Sequence, residues 1–463
     1  MKRRRNLFPV ALVCLCLAVA APAFAVENAS LTVYNSGRAL VSETRSVQLP
    51  DGLASVVFKD VPATLDPTSV KAAASGMTLL GQQYSFLPIT ERTLLDRFVG
   101  EKLSVVLPNP SGEGRLLREA TLLSNEGKPV FLLGEEVYVG DYDAVLLPAL
   151  PEGLQQEPTL TLTADNQGAA RRDIRLRYLM GGFNWRADYS LTLNKAGTAG
   201  RLDGVATVTN ASGAAFNGAQ LRLVAGDVSR EHSPRRLTAK ATMAMDAESA
   251  PAQEPSHESF SQYHLYTIER SVDLPPAGSA QFALLQAENL AVRQELLSVH
   301  HGSGGQRRGS FPQPVTAQLH FDNTEEGGLG RPMPAGLVRV FMPADDDQEL
   351  LAGESRIGHV GPGGKATLSL GRSFDVTVQR TQTDFRKLGK NSVEASWRID
   401  VVNGGQDVQS VKLVERFPGQ WSIVGASAPY ETPDAGSIEF LLSAPPAPDG
   451  KPLSVTYTVQ ITY

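Results

Sequence analysis

Over long stretches of this chain apolar residues take every second position. Val393, Ala395, Trp397, Ile399 and Val401 do so, and so do Leu453, Val455, Tyr457, Val459, Ile461 and Tyr463. Successive side chains of a strand point to opposite faces, so each run predicts a strand with one buried and one wet face. The pattern starts early. "SLTVYNSGRALVSETRSVQL" reads as two strands joined at Asn35-Ser36-Gly37, and "PDGLASVVFKDVP" continues them, giving a small β domain over 26–88. Helical spacing is convincing only in "LPITERTLLDRFVG", where Leu94, Leu95 and Phe98 share a face. Thr90 is a candidate N-cap there and Gly100 a candidate stop.

The strands "EKLSVVL", "GRLLREATLLSNEGKPVFLLG" and "EEVYVGDYDAVLLP" follow, and with the helix they suggest a small β-barrel-like domain over 89–152. Further strands separated by polar or glycine-rich turns predict a β-sandwich domain over 153–380 and a C-terminal β-sandwich domain over 381–463. The fold class is therefore all-β and multidomain, with β-sandwiches, a small barrel-like unit and one short helix. Ser229 to Ser261, rich in Ala, Ser, Pro and charge, shows no periodicity and is expected to be a mobile insertion. His300 to Pro314 is a second break, and no internal repeat is legible.

In "YLMGGFNWRADYSLTLN" the same alternation puts Trp185, Ala187, Tyr189, Leu191 and Leu193 on one face. Arg186 and Asp188 become same-face neighbours able to pair, and Gly181-Gly182 allows a sharp turn into the strand. The run reads as a seam between strands.

Residues 1–25 change the compartment. Lys2, Arg3, Arg4 and Arg5 precede the apolar "LFPVALVCLCLAVA", and Ala23-Phe24-Ala25 ends a small-x-small pattern. That is a secretory signal with cleavage expected after Ala25, and no later segment is apolar enough for a spanning helix. Val13 and Leu15 are poor predecessors for a lipid-modified Cys14 or Cys16, and the rest of a twin-arginine motif is weak. Both cysteines would leave with the signal, removing disulfides and thiolate sites from the expected mature chain. The 43 basic residues less the leader's four leave 39 against 49 acidic ones, a net charge of −10. Such a balance, with export, argues against nucleic acid as a partner.

Candidate chemistry is sparse. His300 and His301 are adjacent and His320 lies further on, but neighbours on a strand face opposite ways, and "HHGSGG" reads as a loop opening. "ADDDQE", Ala344 to Glu349, lacks the alternating oxygen ligands and sixth-position glycine of a calcium loop. "GHVGPGGKATLSLG" resembles a phosphate loop, yet His359 and Ala366 stand where that motif needs Gly and Ser or Thr, so it reads as a hairpin. Neither G-x-S-x-G nor H-E-x-x-H occurs. No catalytic residue, metal ligand or cofactor is expected, and binding residues stay unassigned.

"YLMGGFNWRADYSLTLN", "GVATVTNASGAAFNGAQLRLVAGDV", "YHLYTIERSVDLPPAG" and the block from Pro334 to Val376 resemble successive parts of a bacterial exported family called domain of unknown function 4139. Together they cover most of Tyr178 to Tyr463, and "LTVYNSGRALVSETRSVQL" is similar to the N-terminal region seen with that family. The resemblance implies a β-rich exported protein with a variable polar insertion at Ser229 to Ser261. It also implies that Asp345-Asp346-Asp347 and "GPGGK" are ordinary strand connections. It supplies no activity, cofactor or catalytic residue. The expected role is an exported, periplasmic or cell-surface, non-enzymatic scaffold or interaction module, partnered by another envelope protein or an envelope polymer. The alternatives are a hydrolase of envelope glycan or peptide, with two carboxylates roughly 5–9 Å apart, and a carbohydrate-binding sandwich stacking sugars on Trp185, Trp397 or Trp421.

Overall fold

A computed structural model describes residues 25–109, 112, 114–151, 157–226, 256–260, 263–302, 305–307, 309–344 and 348–463. The expected leader, apart from Ala25, and Asp345-Asp346-Asp347 lie outside these residues. So does most of the expected insertion over 229–261. Its described part, Ser256–Phe260, is a strand paired antiparallel with Tyr263–Thr267.

The chain is all-β, with one α-helix among the described residues, Glu91–Asp96. Thr90 caps it: its Oγ1 accepts from the Thr93 amide at 3.1 Å, and Thr93 Oγ1 accepts from the Thr90 amide at 2.9 Å. These reciprocal bonds satisfy donors that a helix start leaves open. Leu95 points from this helix into a small core with Leu103, Val105, Leu107, Ala120, Leu122 and Phe131. The sheet beneath it has five strands and is open, because its edge strands Glu136–Tyr138 and Ala144–Leu146 do not pair with each other. It therefore has one core face and does not close into a barrel.

The hairpin Ser30–Tyr34/Arg38–Gln48 forms as expected, with Gly37 at φ 84° in its turn. It does not stand alone. Arg38–Gln48 pairs antiparallel with Arg171–Gly181, Ser30–Tyr34 runs parallel to Ala215–Ala225, and Gly52–Phe58 pairs with Thr159–Asn166. The strands of the expected N-terminal β domain over 26–88 thus pair with strands from later in the chain. A two-stranded ribbon is marginal by itself, and these strands reach stability by joining a nine-stranded sheet.

That sheet packs on a five-stranded sheet in which Phe183–Leu193 and Ala199–Asn210 are central. Their shared core runs from Val26 to Leu368 and includes Trp185, Tyr189, Phe216 and Leu223. The C-terminal core runs from Val315 to Ile461 under the sheet built on Val376–Lys387, Ser392–Asn403 and Leu453–Thr462. Val376–Lys387 passes through position 380, so the division expected there falls inside a strand.

One six-stranded sheet floors both cores. Its Thr316–Asp322 and Lys365–Arg372 strands put Leu319, Phe321, Ala366 and Leu368 into the first core. Its Gln409–Arg416 and Ser437–Ala444 strands put Val411, Leu413, Ile438 and Phe440 into the second.

The two sandwiches also repeat a connection. Ala199–Asn210 is flanked antiparallel by Phe183–Leu193 and Gly278–Ala291, and Ser392–Asn403 by Val376–Lys387 and Leu453–Thr462. Each of these strands ends in a buried Asn. Asn210 Nδ2 donates to the Ala214 and Pro275 carbonyls at 2.8 and 2.6 Å, and its Oδ1 accepts from the Ser212 amide at 3.0 Å. Asn403 repeats this with Asp407, Ala444 and Gly405 at 2.8, 2.9 and 3.0 Å. Each next strand then crosses to the other sheet and lies parallel to an earlier one, Ser30–Tyr34 or Arg293–His301.

Candidate functional site

The tryptophan strand is a seam. Trp185 is buried, donates from Nε1 to the Val224 carbonyl at 3.0 Å and meets Tyr266 edge-on. Tyr189 donates to the Pro334 carbonyl at 2.8 Å, and burial pushes its phenol well above the ordinary tyrosine range. Arg186 and Asp188 pair at 3.0 Å, and Asp188 also accepts from Thr207 Oγ1 at 2.7 Å. Gly182 has φ 83°, and a Cβ there would stand 2.7 Å from Ser212 Cα, so only glycine fits this turn. Trp397 is likewise buried, while Trp421 is half-buried against Phe417. Trp185 and Trp397 are thus core residues and present no ring face for stacking sugars.

The histidine pair divides as strand geometry requires, with a correction: His300 lies in the strand Arg293–His301 and is buried, where a loop opening was expected. Its neighbours form a closed ionic cluster inside the C-terminal sandwich. Glu415 Oε2 accepts from His300 Nδ1 and from the Tyr457 hydroxyl, each at 2.8 Å. Glu415 Oε1 faces Arg380, 2.9 Å from Nε and 2.8 Å from Nη2, and Arg380 Nη1 donates to Ser298 Oγ at 3.1 Å. Arg380 and Glu415 are fully buried. Burial alone would raise the Glu415 carboxyl, but Arg380, His300 and Tyr457 outweigh it and hold the group below the usual carboxylate range. The Tyr457 phenol is driven well up by burial and by that carboxylate. His300 also packs on Trp397 and Phe311, with ring centroids 5.2 and 5.7 Å away, and among the described residues its Nε2 has no hydrogen-bond partner. A carboxylate so enclosed is held as an anion and cannot reach solvent, so the cluster is suited to cohesion.

His320 belongs to a different set, on the reverse of the flooring sheet. Its Nδ1 lies 3.0 Å from Thr367 Oγ1 and its Nε2 3.5 Å from Glu295, which also pairs with Lys412 at 3.2 Å. Lys412 reaches Glu439 at 3.6 Å. Burial, aided by Lys412 and Arg293, lowers the His320 pKa despite Glu295. His300 and His320 therefore lie on opposite faces of one sheet. Among the described residues no group of three or more His, Cys, Asp or Glu side chains is placed to hold a metal ion. "GPGGK" is a turn with Gly363 at φ 78°, but it links Glu349–Ile357 of one sheet to Lys365–Arg372 of another, so the expected hairpin is corrected to a connection between sheets.

A cleft of about 220 Å³ opens on the flooring sheet between the two cores. Leu193, Leu296, Leu319, Met342 and Leu370 line it, with Gln294, Gln409 and Arg372 contributing polar groups. The carboxyl groups with resolved shifts, Asp141, Asp384, Glu415 and Asp434, all move downward and none lines the cleft. Among the described residues no helix is long and apolar enough to cross a membrane.

Sequence reasoning missed Ser298, Arg380, Glu415 and Tyr457 as a set. A signal existed: Arg380 follows Val376 and Val378, and Glu415 follows Val411 and Leu413, each at an inward position of an alternating run. An ionisable residue on a strand's apolar face requires a buried counter-ion.

These features define an all-β protein of tandem sandwiches sharing one sheet. Residues 174–421 match the family described as Domain of unknown function (DUF4139), and residues 31–95 match the N-terminal domain of unknown function (DUF4140). The first match spans more than half of the chain, and the protein belongs to that family. A search of curated proteins finds no match.

Proposed function

We propose that the protein is an exported, non-enzymatic scaffold or interaction module of the cell envelope, periplasmic or at the cell surface. The observation that carries this reading is the placement of its ionisable groups. The best-formed constellation, Glu415 with Arg380, His300 and Tyr457, is consumed inside a core, whereas broad sheet faces and strand edges are open. Open strand edges can accept a partner strand through main-chain hydrogen bonds. Gly278–Ala291 is the longest described edge strand, paired on one side by Ala199–Asn210. The leader-like residues 1–25 and the low density of catalytic motifs support the same reading.

In-cell crosslinking of the tagged, exported protein, followed by mass spectrometry, tests it. A dominant envelope protein captured reproducibly is the expected result. A monomer that captures nothing, together with cleavage of muropeptide, polysaccharide or peptide by the purified chain, would replace the scaffold with a hydrolase.

A further inference from the structure

The outer face of the nine-stranded sheet carries cations without counter-ions. Alternation sends Ile174, Leu176 and Tyr178 inward and leaves Arg171, Asp173, Arg175 and Arg177 outward. Side chains at i and i+2 are about 7 Å apart, so these form a line along one strand. Arg177 stands directly opposite Lys71 on one side and Ser42 on the other, and the row continues through Ser30 to Gln220. Five strands at ~4.8 Å spacing make this row about 20 Å wide. Arg175 is flanked by Ala73 and Thr44, Arg171 by Gln48, and Arg222 lies beside Thr32. Lys71, Arg171, Arg175, Arg177 and Arg222 are all exposed, and none has an ion pair among the described residues. Asp173 is the one carboxylate among these outward positions, and it accepts from Ser46 Oγ.

Like charges directly opposite each other destabilise a sheet, so Lys71 facing Arg177 is a local cost that an anion would relieve. The setting sharpens the point, because the whole chain carries a net charge of −6. We propose that this face binds an acidic polysaccharide, with the guanidinium groups on carboxylates and Ser30, Ser42, Thr44, Gln48 and Gln220 on sugar hydroxyls. This inference rests on the scaffold reading and names its polymer partner. A bilayer is the poorer fit, because a membrane-surface binder sets aliphatic or aromatic side chains beside its cations. Here Ser42, Thr44 and Gln48 stand opposite Arg177, Arg175 and Arg171, and the apolar outward residues Leu40 and Leu179 are half-buried and confined to the next row.

The test uses the full exported chain against polygalacturonate, with neutral dextran and phosphatidylglycerol-containing vesicles in parallel arms. The Lys71→Gln/Arg175→Gln/Arg177→Gln variant is compared with a control that loses as many exposed charges elsewhere, Lys387→Gln/Lys390→Gln/Lys451→Gln. Wild type should bind polygalacturonate and lose it as salt rises from ~50 to ~500 mM. The face variant should bind at least about tenfold more weakly, with the control within about twofold. Removing Arg177 from opposite Lys71 should leave the melting temperature equal or higher, which separates lost binding from lost folding. The inference is overturned if wild type ignores polygalacturonate, if both variants lose binding equally, or if vesicles are bound in preference. The scaffold reading fails separately, through cleavage of muropeptide, polysaccharide or peptide by a purified chain that captures nothing on crosslinking.

Discussion

The two sandwiches share a frame and differ in what fills it. Counting inward along paired strands from the terminal Asn gives Phe183, Trp185 and Ala187 in the first and Val376, Val378 and Arg380 in the second. Where one core has a methyl group, the other has a guanidinium. The crossing strands diverge likewise: Leu221 and Leu223 of the first lie beside Leu31 and Val33, whereas Leu413 and Glu415 of the second lie beside Ser298 and His300. The first core has its own buried carboxylate, Glu43, which accepts from Tyr178 at 2.9 Å and from Arg45 at 2.8 Å, but the positions that match Arg380 and Glu415 are apolar there, so an ionic cluster at those positions is not what makes the sandwich close. Buried ion pairs often add little net stability over apolar replacements, yet breaking one is severe. The second sandwich has accepted a core that tolerates no single loss.

The largest test of that contrast is Arg380→Met, which leaves Glu415 as an uncompensated buried anion and should cost about 3–5 kcal/mol in urea unfolding. Arg380→Met combined with Glu415→Gln should recover much of it; additive losses would mean the two groups do not act as a pair. Next come Asn210→Ala and Asn403→Ala, each orphaning two carbonyls and one amide, at about 1–3 kcal/mol each. Similar costs would confirm the shared frame, and a large inequality would break it. Acid should separate the sandwiches. The Glu415 carboxyl is depressed when folded, so its contribution is complete above the unfolded value near 4.5 and is lost as pH falls through the folded value. Amide exchange in Ser392–Asn403 should accelerate on acidification, and Glu415→Gln should remove that dependence. Alkali should not discriminate, because Tyr178 and Tyr189 in one core and Tyr457 in the other all have raised values. Their contributions are present below pH ~10 and are lost in both cores as pH rises above it. The smallest effect belongs to Arg186→Gln, whose side chain is 65% exposed, at under ~1 kcal/mol.

Local alternation made the strands legible. Trp185 to Leu193 and Val393 to Val401 lie as their pattern requires, and Thr90 caps the helix its sequence suggests. Pairing between distant strands was not legible, because nothing in "SLTVYNSG" indicates that it will lie parallel to residues 220–224. The repeated frame was hidden for a related reason. It is defined by one Asn and by backbone registers, and the side chains around it differ almost everywhere. Of the ionic cluster, only the odd inward charge could be seen, since its five members come from four strands whose adjacency depends on that same long-range pairing.

The sheet that floors both cores has a mechanical meaning. Two sandwiches joined by a linker would swivel, and a load on one would be absorbed as rotation. Here the strands Arg293–His301 and Thr316–Asp322 are hydrogen-bonded neighbours, one facing the second core and the other the first. Bending the molecule between its halves means shearing that ladder. The two halves are therefore coupled in torsion, so that a twist applied to one sandwich is carried through the ladder into the other.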